Sequence, residues 1–106
     1  LSKSHNMQET SLDAYFSEVL PTLGERHQQV LKIFMENTSM NFTNMELSDE
    51  LDWSVNRVTP RVFELRGMGK NNPLKNKPIL VKSELRPCRI TKRMVNAWGL
   101  NYERFS

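Results

Sequence analysis

Residues 43–55 read TNMELSDELDWSV, and each position has a physical job. Thr43 and Glu46 form a T-x-x-E capping box. The hydroxyl accepts from the backbone three residues on, and the carboxylate reaches back to the N–H of the cap. Leu47 and Leu51, four apart, share one helical face and seat a helix on a core. Ser48 is small and lets a following helix approach closely. Asp52 stands where the chain must turn through a left-handed backbone, which glycine adopts most cheaply and aspartate tolerates. Trp53 is placed to plug the corner. Ser54 then caps a second helix whose Val55, Val58, Val62 and Leu65 keep helical spacing. The stretch predicts two short helices joined by a tight turn.

Moving outward toward the C-terminus, Pro60 admits two readings. The second helix runs through it with a kink, at a cost of about 3 kcal/mol for an interior proline, or its regular part starts with Thr59 as cap and Pro60 at the first position. Gly67 and Gly69 end it. Residues 70–78 (KNNPLKNKP) form a basic loop rich in breakers. Ile79-Leu80-Val81 reads as a strand, Cys88-Arg89-Ile90 as its partner, and residues 82–87 as the turn between them. Thr91 is expected to cap a last short helix carrying Met94, Val95 and Trp98, followed by a tail over 99–106.

Moving outward toward the N-terminus, Asn37 to Asn41 is a short polar link, and Met40 or Phe42 can make one brief strand contact. Val30, Leu31, Phe34 and Met35 mark a helix reaching about Asn37, with Thr22 and Glu25 as its capping box. Leu12, Tyr15, Phe16, Val19 and Leu20 mark an earlier amphipathic helix, over 11–20, stopped by Pro21. Residues 1–10 are polar, lack periodicity and read as a disordered tail.

The expected fold is α+β and mainly α, a single domain over 11–98. Its helix-turn-helix (43–67) is followed by a ribbon (79–90) in a two- or three-stranded sheet, with flanking N- and C-terminal helices. In this order the residues resemble the winged helix-turn-helix family. Residues 56–70 (NRVTPRVFELRGMGK) are similar to the recognition helix of MarR-type and phage-encoded winged-helix proteins, and residues 86–93 (RPCRITKR) to the wing strand and closing segment of the phage group. The resemblance covers roughly residues 24–98. It departs from the family pattern at Lys70–Pro78, which intervenes before the first wing strand. The resemblance implies DNA binding with a helix in the major groove and a wing beside it.

Charge distribution points the same way. The 106 residues carry a net charge of only +3. Residues 1–55 hold three basic groups against nine acids, a net −6, whereas residues 56–95 hold eleven against Glu64 and Glu84, a net +9. A local excess of this size creates a field that a polyanion can use, because neutralised phosphates release counterions. With 38% hydrophobic residues, the chain suits one small core. No run approaches the roughly 18 apolar residues of a membrane span. Cys88 is the single cysteine, so a reducing setting is expected; with DNA as the expected partner, that setting is cytoplasmic and nucleoid-associated.

With Val58, Val62 and Leu65 inward, the opposite side of the second helix presents Asn56, Arg57, Pro60, Arg61 and Glu64. Arginine grips guanine O6 and N7 bidentately, and asparagine does the same for adenine N6 and N7. Asn56, Arg57 and Arg61 are therefore the expected base readers, with Thr59 on a phosphate or a thymine methyl. The competing assignment pairs Arg61 with Glu64 or Glu50 on a solvated surface. Lys82, Arg86 and Arg89 of the ribbon, and Lys75 and Lys77 of the loop, are phosphate candidates. Arg93, at the expected start of the last helix, gains nothing from the helix dipole there and points to an external anion.

Neither His5 nor His27 meets a Ser, Cys or acid in the pattern of a catalytic dyad, and no Gly-rich phosphate loop or zinc-ligand spacing is present. The methionines Met35, Met45, Met68 and Met94 read as core filler. No enzymatic activity, cofactor, metal or small-molecule ligand is expected. The expected partner is double-stranded DNA, bound sequence-specifically by a phage-type transcriptional regulator. The Leu12–Leu20 helix either supplies a homodimer contact or simply covers the domain. The rival reading is a winged-helix protein-interaction module in a replication or transcription assembly.

Overall fold

A computed structural model describes residues 13–105. The polar tail, Ser11, Leu12 and Ser106 lie outside the described residues. Among those described, helix α1 (residues 13–19), a 3-10 turn (Leu20–Thr22), α2 (Glu25–Glu36), α3 (Asn44–Leu51) and α4 (Val55–Leu65) precede strands β1 (Leu80–Pro87) and β2 (Met94–Leu100). The two strands form one antiparallel ribbon. This is a small α+β fold whose element order is compatible with a winged-helix layout.

The capping box at the head of α3 forms as expected. The Thr43 hydroxyl accepts from the Glu46 N–H, and the Glu46 carboxylate accepts from the Thr43 N–H. Asp52 closes the helix in the left-handed region at φ 56°. The Ser48 hydroxyl donates to the Trp53 carbonyl, so this small residue also staples the turn. The helix α4 starts at Val55 and runs unbroken through Pro60, which removes the reading that begins it at Thr59. Pro60 is exposed, so its ring projects into solvent and the bond it cannot donate lies on the outer face of α4. Gly67 ends α4 at φ 80°, its N–H donating to Glu64 O and that of Met68 to Phe63 O, a Schellman closure. A Cβ at Gly67 would lie 2.6 Å from the Leu74 carbonyl oxygen, so only glycine lets the 70–78 loop pack this closely.

One helix start and most of the ribbon differ from expectation. Thr22 does not cap α2. It belongs to the 3-10 turn after Pro21 and donates to Val19 O, while Gly24 is the N-cap. The segment 82–87, expected as a turn, is the body of β1, and the turn instead spans 88–93, where Lys92 takes φ 64°. The expected C-terminal helix is strand β2, and Gly99 and Leu100 belong to it rather than to a tail. Met94, Val95 and Trp98 have spacing that suits a helix. Pairing along the full length of β1, together with the bridge between Phe42 and Trp98, buries Ala97, Trp98 and Leu100, which a single exposed helical turn cannot do. Phe42, rather than Met40, makes the brief strand contact.

The core joins Phe16 and Val19 of α1, Val30, Leu31, Ile33 and Phe34 of α2, Leu47 of α3, Val58, Val62 and Leu65 of α4, and Ile79, Leu80, Trp98 and Leu100 at the ribbon base. Phe34 and Phe42 meet edge to face at 5.2 Å. The apolar face of α1 is therefore packed on its own domain. Met35 is partly buried, as a core filler should be, but Met68 and Met94 are exposed.

Candidate nucleic-acid interface

The basic residues of 56–95 sort into two groups once the chain folds. The first converges on one carboxylate. Glu46, 4% exposed, sits in the first turn of α3, facing the ribbon. Its Oε1 accepts from Thr43 N (3.0 Å), Arg86 Nη2 (2.6 Å) and Arg89 Nη2 (2.8 Å). Its Oε2 accepts from Arg86 Nη1 (2.8 Å) and Arg89 N (2.7 Å). Burial alone pushes this carboxyl up. The Arg86 hydrogen bonds, the Arg89 and Thr43 backbone N–H groups and the Arg89 side chain outweigh it and hold the carboxyl at about 2.

Arg86 is fully engaged within the protein. Its Nε donates to Asn41 Oδ1 (2.9 Å), Nη2 also donates to the Asn41 carbonyl (3.1 Å), and Nη1 also donates to the Pro87 carbonyl (2.9 Å). Guanidinium has five N–H donors, and all five have partners. Arg86, expected as a phosphate contact, instead ties β1 to α3 and has no N–H donor left over. Arg89, half exposed, adds Nη2 to Asn41 O (3.1 Å) and lies 5.6 Å over the Phe42 ring, so only its outer nitrogens remain for a ligand. Sequence reasoning found Glu46 as a cap and missed it as the hub, because its partners are 40 and 43 residues away.

Cys88 follows β1 and is buried, with Sγ 3.1 Å from Thr43 Oγ1. Burial raises its thiol pKa, but hydrogen bonds from Thr43, Thr91 and Ile90 prevail and lower it.

The second group faces outward. With Val58, Val62 and Leu65 buried, the residues Asn56, Arg57, Thr59, Pro60 and Phe63 are exposed on α4. The Arg57 guanidinium stacks over Trp53 at 5.0 Å, which holds the side chain at the head of α4 without neutralising it. Arg61 lies on the flank, half-buried, with Nε 3.2 Å from Glu64 Oε1, and His27 Nε2 approaches the same oxygen at 2.7 Å. The competing assignment for Arg61, a pair with Glu64, is the one the structure contains.

A short hydrogen-bonded path joins α4 to the ribbon. Trp98 Nε1 of β2 donates to Asn44 Oδ1 at the head of α3 (2.8 Å), and Asn44 Nδ2 donates to Thr59 Oγ1 of α4 (3.3 Å). Lys82 is exposed on β1 and Arg93 in the turn before β2. Arg93 is thus not at a helix start, and the dipole argument for an anion there lapses. Lys75 and Lys77 are exposed in the loop that Asn72 fastens to the far end of α4, through Nδ2 to Glu64 O and Met68 O. They lie beyond the C-terminus of α4, away from Asn56 and Arg57.

No group of His, Cys, Asp and Glu among the described residues could hold a metal ion, and no helix among them is long and apolar enough to cross a membrane. No family model, no curated protein and no solved structure matches this chain.

Proposed function

We propose that this chain is a winged helix-turn-helix protein that binds double-stranded DNA sequence-specifically as a transcriptional regulator. In this reading α4 enters the major groove and the ribbon flanks it. One observation carries it: the Trp98–Asn44–Thr59 path sets the ribbon beside a helix whose head offers Asn56 and Arg57 to solvent. Those two residue types read adenine and guanine edges, and helix N-terminal residues are the ones that reach bases in this class of protein. Lys82 and Arg93 then serve as phosphate contacts, and Thr59 borders the groove. Arg61 is a secondary reader, its Nε directed to Glu64 on the flank of the helix.

The test is an electrophoretic shift with genomic double-stranded fragments across a salt series. Each phosphate contact should contribute about −0.9 to the slope of log affinity against log salt. Binding that does not change between low and physiological salt would sink the reading. Capture of a protein partner from nuclease-treated lysate, with no DNA shift, would favour the interaction-module alternative.

A further inference from the structure

The most exposed large apolar side chains among the described residues are both on the ribbon, Leu85 at 57% and Met94 at 59%. Leu85 pairs with Asn96, and Pro87 with Met94. Alternate residues share a face, so Leu85, Pro87, Met94 and Asn96 lie together on one side. Lys82, opposite Trp98, joins them, because the bulge at Ser83 shifts the register before Glu84. Glu84 pairs with Ala97 on the other side, and Asn41 Nδ2 donates to its carboxylate at 2.8 Å. Toward the base of the ribbon this face holds the buried Trp98; beyond it the face holds a lysine, two exposed apolar side chains, a proline and an amide, with no carboxylate, and Arg93 stands next to Met94.

The ribbon is also held still. Arg86 of β1 and Arg89 of the following turn both bond the buried Glu46 of α3, so the apolar pair is carried on a clamped support. A complementary surface must be apolar inside and anionic at its rim. A base stack between two phosphate strands meets both demands.

The geometry points to Leu85 and Met94 as an apolar wedge that enters the minor groove of B-form DNA at a base step, with Lys82 and Arg93 on the flanking phosphates. The inference rests on the DNA-binding reading above and adds to it that the protein bends its DNA. Wedges of this type kink duplexes by about 20–90°, most readily at pyrimidine–purine steps.

The test uses the whole chain and a duplex of about 25 base pairs with a central TpA step, dye-labelled at both ends. Energy transfer reads bending, and anisotropy on the same sample reads binding. Wild-type protein should shorten the end-to-end distance, and less so when an A-tract replaces the TpA step. The Leu85→Ala/Met94→Ala variant should bind within about tenfold of wild type and leave the duplex nearly straight. Its urea midpoint should match wild type because both side chains are exposed, and each single substitution should give a partial loss of bending. Lys82→Ala should weaken binding about two- to fivefold, with a shallower salt slope, and keep the bend. Salt-dependent binding without bending overturns the wedge and leaves the DNA reading standing, as does an unchanged bend in the double variant. Absence of duplex binding removes both. A wild-type dimer that becomes a monomer in the double variant assigns the face to a second copy and overturns the wedge.

Discussion

Arg86 and Arg57 come from the same basic block, yet the fold uses them in opposite ways. Arg86 is largely buried, with every donor engaged and its charge met by Glu46. Arg57 is exposed, steadied only by the ring of Trp53. The first region turns charge into architecture, fixing the ribbon to α3. The second keeps charge available to a ligand. A local excess of +9 therefore overstates the positive surface, since Arg86, Arg89 and Arg61 already face Glu46 or Glu64. Positive charge attracts a polyanion only where the protein has not already neutralised it.

The largest effect should come from breaking the buried region. Glu46→Gln keeps the shape but leaves the Arg86 charge largely buried and unmatched. Losing one partner of such a pair costs about 3–5 kcal/mol, a large share of a small domain's stability. Urea unfolding should show it, and a loss below about 1 kcal/mol would mean that the cluster is not what fixes the ribbon.

Acid probes the same region without mutation. The folded Glu46 carboxyl sits at about 2 against an ordinary 4.5. Its contribution is complete above pH 4.5, where both folded and unfolded chains are ionised there. It is lost as pH falls from about 4.5 toward about 2, because the unfolded chain takes up the proton first. The shift corresponds to about 3 kcal/mol. Urea midpoints measured across that window should fall for wild type and fall much less for Glu46→Gln.

The exposed region should respond in binding and hardly in stability. Arg57→Ala removes a stacking contact worth about 0.5–1 kcal/mol to the fold. On a selected duplex it should cost about 1–3 kcal/mol of affinity and relax preference at one base position. If Arg57→Ala instead lowers stability as much as Glu46→Gln does, the contrast between the regions fails. Smallest of all, Lys82→Ala should stay within about 0.5 kcal/mol in stability and flatten the salt slope by about 0.9. Arg86→Ala provides the sharpest contrast with it, since it should unfold the ribbon anchor and affect binding only through that loss.

Much of the α-helical half was legible because its signals are local. Thr43 and Glu46 are three residues apart, Asp52 lies within the turn it makes, and Val58, Val62 and Leu65 repeat within one helix. The ribbon is not legible in the same way, because Met94, Val95 and Trp98 satisfy a helical spacing as well as a strand. Only the Phe42 bridge and the pairing with β1 decide between them. The site divided in the same manner. Asn56 and Arg57 were readable as outward residues from helical period alone, whereas the engagement of Arg86 depends on Glu46 forty positions earlier.

The sequence by itself determined where α3 begins and turns into α4, which of their faces is apolar, and where the positive charge is concentrated. Capping, helical period and left-handed turns act over four or five residues, so composition and spacing suffice to specify them. The tertiary structure alone decided that residues 82–87 and 94–100 pair as a ribbon, that Glu46 gathers two arginines, and that Leu85 and Met94 remain exposed. Strand pairing and charge neutralisation join residues distant along the chain, and their energies arise only when the fold brings those residues into contact.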